Sequence, residues 1–173
     1  MLALWLVSAL LLFWTVGAYN RLIRLRARAL QAFGAFDGFM ARLIALIDDY
    51  RAARGVADAP AQADAHAALD AAAAQFGASL AVARERPLDA GAAAALAAGA
   101  HVLETAWQTV ARNPPEGAEA FAPWLRERED LALQSVPAQE QFNAAVTRYN
   151  HAIAQFPASL LAWLIGLRPA QTL

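Results

Sequence analysis

The 173-residue chain contains no cysteine, which excludes disulfides, thiolate metal sites and thiol nucleophiles. Lysine is missing as well: the fourteen basic residues are all arginine, balanced by fifteen acids for a net charge of −1. That balance gives no global basic field, so nucleic acid is not an expected partner. Glycine-rich phosphate loops, a nucleophile elbow and paired cleft acids are absent, and with them the residues on which hydrolase or transferase chemistry would stand. The sequence is therefore read as a non-enzyme with no catalytic residues, no cofactor, no metal and no identifiable small-molecule substrate. Strand signals are also lacking, since no segment alternates polar and apolar residues convincingly.

Charge is missing altogether from Met1 to Tyr19, MLALWLVSALLLFWTVGAY. Nineteen helical residues at 1.5 Å each reach roughly 28 Å, close to the ~30 Å hydrocarbon core of a bilayer. Trp14 and Tyr19 lie near one end, where amphipathic rings favour the water–lipid interface. Arg21, Arg24, Arg26 and Arg28 follow at once, so the positive-inside rule predicts an outside N-terminus and a cytoplasmic remainder. The same arginines suit anionic headgroups. A cleaved signal peptide is the competing reading, because Val16-Gly17-Ala18 offers small residues where processing would need them. The missing basic n-region argues against cleavage, as does the helical pattern continuing into Leu22, Ile23 and Leu25. The expected organisation is a single transmembrane anchor over 1–19 and a helical domain over 20–173.

Of the chain, 59% is hydrophobic, but much of that is alanine, which forms helix well and buries little area. Beyond the anchor, Leu22, Ala29, Phe33, Phe36, Met40, Leu43, Ile47 and Tyr50 repeat at coiled-coil-like spacing and predict one helix to about Arg54, ended by Gly55, Asp58 and Pro60. Leu69, Ala73, Phe76, Leu80 and Ala83 mark a second helix over about 61–84. Leu96, Leu103, Trp107 and Val110 mark a third over about 88–112, with Gly91 and Gly99 making its middle either frayed or closely packed. The Asn113-Pro114-Pro115-Glu116-Gly117 run predicts an exposed loop. A short helix over about 121–134 should then give way to a last long one begun by Pro137. That helix carries Phe142, Val146, Tyr149, Ile153 and Phe156, and the series extends to Leu160. The run ASLLAWLIGL after Pro157 is too short to span a membrane; it either caps the bundle or lies at the lipid interface. The fold class is all-α: an N-terminal transmembrane helix followed by an elongated antiparallel bundle of three to four long helices.

Few side chains invite a chemical reading. His101 and Glu104 could share a helix face in the manner of a metal pair, yet a carboxylate-bridged site needs more acids than this segment holds, and a solvent-facing ion pair is expected instead. This pair carries the alternative reading of a metal- or ligand-binding bundle or enzyme. His66 and Asp70 are expected to form a similar surface pair. The run Arg126-Glu127-Arg128-Glu129-Asp130 reads as a solvated face. Phe121, Trp124 and Leu125 are the candidate exposed patch for a protein partner, and the small-residue faces of the central helices could support homo-oligomers. Asn20, Asn143 and Asn150 each follow an aromatic (Tyr19, Phe142, Tyr149). With Tyr149, they are expected to fix register through interhelical hydrogen bonds.

These same residues carry a family likeness. QFNAAVTRYNHAIAQFPASLLAWLIG resembles the C-terminal signature of the LemA family of bacterial membrane proteins, and YNRLIRLRARALQAF after an apolar segment resembles its opening. The correspondence falls on Tyr19-Asn20, Phe36-Asp37, Tyr149-Asn150 and Phe156-Pro157, about a third of the chain, and makes it look like a divergent member. The resemblance implies a bacterial inner-membrane protein with a long-helix bundle, no established catalytic activity, and a role in membrane-linked signalling or envelope complexes.

Overall fold

The computed structural model describes residues 1–54, 60–112, 114 and 118–173. Five helices follow in order: α1 (Leu2–Ala53), α2 (Pro60–Glu85), α3 (Ala90–Arg112), α4 (Ala118–Ala154) and α5 (Ala158–Leu164). No strand occurs among the described residues. The breakers Gly55 and Asp58 lie outside them, as does the loop expected over 113–117 except for Pro114.

α1 is one uninterrupted helix of 52 residues with two unlike halves. Its beginning is long and apolar enough to cross a membrane, by length and composition. There Leu4, Trp5, Leu6, Leu10, Leu12 and Phe13 stand bare. From Leu22 onward the stripe turns inward, and Leu22, Ala29, Phe33, Phe36, Met40, Ile47 and Tyr50 are buried. The change of surroundings coincides with the first arginines, because a face that alternates apolar and charged residues can be buried on one side only.

The bundle is built from two helix pairs. α4 packs along α1, and α3 along α2, while α1 and α2 touch more sparingly. Along the first pair, Phe33 meets Phe142 edge-on at 5.7 Å, and Tyr50 meets Phe121 at 5.5 Å and Trp124 at 5.7 Å. Positions rising on α1 therefore face positions falling on α4, so the two run in opposite directions. Two groups of ion pairs join α1 to α2: Arg84 with Asp37 at 2.7 Å, and Arg51 and Arg54 with Asp70. Asp89 opens α3 by accepting the Ala92 N–H at 2.9 Å, which satisfies one of the amides that every helix start leaves unpaired.

The predicted stripes of α2 and α3 are buried as expected. Gly99 settles the choice between fraying and close packing: it is buried, and a Cβ there would stand 3.5 Å from the Phe76 Cα.

Three expectations fail. The break before Pro137 does not exist, for α4 runs as 37 residues through both Pro123 and Pro137. Each proline frees the carbonyl four residues earlier, on Glu119 and Leu133. All four of these residues are exposed, so water can take those carbonyls. The patch of Phe121, Trp124 and Leu125 also fails as a partner surface: Phe121 is buried and the other two pack against the core around Tyr50. Finally, the stripe of α4 ends at Ile153, and Phe156 and Leu160 point outward.

Candidate functional site

Three features outside the plain core bear on function: a cleft between the helix pairs, a clamp on the last residues, and an apolar surface at one end.

The cleft has a volume of about 210 Å³. α1 lines it with Phe36, Met40 and Leu43, and α3 with Leu103 and Trp107. α4 contributes Arg128, Ser135 and Gln139. Glu104 does not pair with His101, which is exposed; its carboxylate pairs with Arg128 and accepts from Gln108 Nε2 at 2.6 Å. Arg128 thereby leaves the solvated run to which the sequence assigned it. Burial pushes its guanidinium below the ordinary value, with Glu129 opposing. Trp107 is 2% exposed, and its indole Nε1 finds no acceptor among the described residues. Among the described residues, no three of His, Asp and Glu stand together as a metal would require. The arrangement can hold an apolar body beside one ion pair, and it presents no nucleophile next to a base.

A polar stripe explains why this cleft escaped sequence reading. Spacing of three and four from Phe121 to Phe142 passes through Arg128, expected on a solvated face, and Ser135; in the structure these polar groups border the opening. His66 is a second correction. It is 3% exposed, not superficial, and its Nε2 stands 3.0 Å from the Tyr50 hydroxyl. Asp70 instead serves Arg51 and Arg54.

Asn143 and Asn150 bond to residues 170–173 and not, as expected, to another helix. Asn143 donates from Nδ2 to the Leu173 carbonyl at 2.8 Å and accepts the Leu173 N–H at 2.9 Å. Asn150 does the same with Ala170, at 2.8 and 2.9 Å. The spacings agree: seven residues of helix rise roughly 10 Å, and three residues of extended chain cover roughly the same. Tyr149 adds a bond from its hydroxyl to the Arg168 carbonyl at 2.9 Å. Burial raises its phenol above the usual 10.0, with Arg26 opposing. Asn20 takes no part in this clamp and lies exposed on α1.

Just before the clamp, α5 closes in a reversal at Gly166, whose φ of 72° is the left-handed conformation that glycine adopts freely. Leu167 N–H reaches the Ala162 carbonyl at 2.9 Å and Gly166 N–H the Trp163 carbonyl at 3.2 Å, the paired bonds of a Schellman ending. Ala162 and Leu161 turn inward, while Leu160, Trp163 and Leu164 are 63%, 80% and 74% exposed. Phe156, in a cis bond to Pro157, is 81% exposed. Phe156 and Ala158 share a hollow with Trp14, Gly17, Ala18 and Arg21 of α1, and Gly166, at the far end of α5, shares another with Arg26 and Leu30. Arg21, Arg24, Arg26 and Arg28 are all exposed on the same stretch of α1.

No family model, curated protein or solved structure matches the chain.

Proposed function

We propose that the protein is a single-pass membrane-anchored helical bundle that serves as a scaffold or interaction module at the cytoplasmic face of a bacterial inner membrane. The carrying observation is the division of α1, a single helix whose first nineteen residues are apolar and largely bare and whose remainder supplies one wall of the core. A bare apolar stretch of that length has a natural environment in lipid. The four arginines that follow orient it, with residues 20–173 inside as an elongated antiparallel bundle. The likeness to the LemA family, on Tyr149-Asn150, Phe156-Pro157 and the opening segment, supports the same setting. Partner classes that fit are a protein of the inner leaflet or a second copy of the chain.

An alternative reading, a metal- or ligand-binding bundle built on His101 and Glu104, is less favoured because one of the pair faces solvent and the other is engaged with Arg128.

The native absence of cysteine makes topology testable. Gln134→Cys, at an exposed position of α4, should label with a membrane-impermeant maleimide only after the cells are permeabilised. Labelling in intact cells would overturn the cytoplasmic assignment.

A further inference from the structure

We propose that the outer face of α5, together with Phe156, is a second membrane contact, lying in the interfacial layer of the bilayer that holds residues 1–19. The inference rests on the anchor reading above and extends it from a single span to a span with a docking foot.

Four observations carry it. First, the exposed side chains are of one kind. Phe156, Leu160, Trp163 and Leu164 form a cluster, and no charged residue lies between His151 and Arg168. Helices on protein surfaces ordinarily turn their apolar stripe inward and their polar stripe outward. Here a small buried residue, Ala162, faces in while the largest side chains face out. Soluble monomers rarely leave such a cluster bare.

Second, the cluster is continuous with the apolar surface of α1. The hollow shared by Trp14, Gly17 and Ala18 with Phe156 and Ala158 sets the foot beside the last turns of the apolar segment. A bilayer that covers those turns reaches the foot as well. Third, the side chains are those of a water–lipid boundary: Trp163 on the foot, Trp14 and Tyr19 on α1, and exposed Arg21 and Arg24 immediately beyond to meet anionic headgroups. At seven residues α5 is far too short to cross; it runs alongside α1 from the level of Trp14 and Arg21 to that of Arg26, the depth at which the headgroup layer would lie.

Fourth, its position is built in. The Schellman ending at Gly166 turns the chain back toward the bundle, and the Asn150 and Asn143 clamps then fix the returning segment on α4. With α4 ending on one side and the clamped segment on the other, α5 is held at this end of the bundle. A protein partner could also cover an apolar face, but continuity with the apolar half of α1 favours lipid.

Depth measurement on the full chain tests this. Single nitroxide labels at Trp163→Cys and Leu164→Cys would be compared with Leu10→Cys in the anchor and Gln134→Cys on α4, in vesicles of phosphatidylethanolamine with a minor share of phosphatidylglycerol. All four positions are exposed, so the substitutions leave the core untouched. The expected result is oxygen collision at both α5 sites raised several-fold over Gln134→Cys, with collision against a water-soluble nickel chelate reduced, and with depths shallower than Leu10→Cys. Values at both α5 sites equal to those at Gln134→Cys, with Leu10→Cys still deep, would overturn the foot and leave the anchor standing. Shielding of the α5 sites from both reagents would place them in a protein contact and also overturn it. A water-exposed Leu10→Cys would remove the anchor itself and this inference with it.

Discussion

The two helix pairs of the bundle reach close packing by opposite means. Where α1 meets α4, the space is filled by rings: Phe33 on Phe142, then Tyr50 on Phe121 and Trp124, all at centroid distances below 6 Å. On α2 and α3, small residues, Ala72, Ala73, Ala83, Ala92, Ala93 and Gly99, are buried among Leu69, Phe76, Leu80 and Leu96, and a Cβ on Gly99 would stand 3.5 Å from the Phe76 backbone. One pair depends on what its side chains fill, the other on what they leave out. Two designs within one domain imply two different vulnerabilities: cavities in the first, crowding in the second.

The sharpest test is Phe142→Ala. Its ring is fully buried against Phe33, and removing it opens a cavity that the long α1 and α4 can close only in part. A loss of about 3–5 kcal/mol is expected in denaturation followed by circular dichroism in detergent; a loss under about 1 kcal/mol would mean that the rings are not what holds this pair together. The matching insult to the second pair is Gly99→Leu, which forces a branched side chain into the Phe76 contact and should cost about 1–3 kcal/mol. If it costs nothing, α3 has room to move away and the close approach is not a constraint. The smallest change is the most discriminating. Gly99→Ala places a Cβ at ordinary contact distance from Phe76, so the helix preference of alanine should prevail and raise stability by up to about 1 kcal/mol. A clear loss would show that the pair is packed more tightly than that distance indicates.

Repetition made most of this fold legible in the sequence, and its failures fall where repetition ends. The stripe from Leu22 to Tyr50 on α1, the narrow stripe of α2 and the spacing of Leu96, Leu103, Trp107 and Val110 all name buried residues, because a helix records its inward face every three or four positions. The continuity of α4 was hidden by Pro137, which ordinarily begins or breaks a helix but here sits inside one with the freed Leu133 carbonyl at an exposed position. His66 departs from its expected surface position for a different reason: the packing of α1 on α2 buries it and brings the Tyr50 hydroxyl to it, and the same packing gives Asp70 to Arg51 and Arg54. The clamp was half visible. Asparagine after an aromatic marked Asn143 and Asn150 as unusual, but their partners lie in RPAQTL, an aperiodic stretch from which no local rule predicts docking on a helix.

The unbroken length of α1 has a mechanical meaning on the proposed anchor. Between Tyr19 at the apolar end and Tyr50 in the aromatic cluster there is neither proline nor loop, only helix. Thirty-one residues of helix make a lever arm of roughly 46 Å, so a tilt of about 10° in the bilayer would carry the far end sideways by roughly 8 Å. A jointed linker would absorb such a rocking movement; a stiff rod delivers it. The Tyr50 end of α1, with the rings packed on it, would therefore swing through an arc set by that length whenever the apolar end tilts.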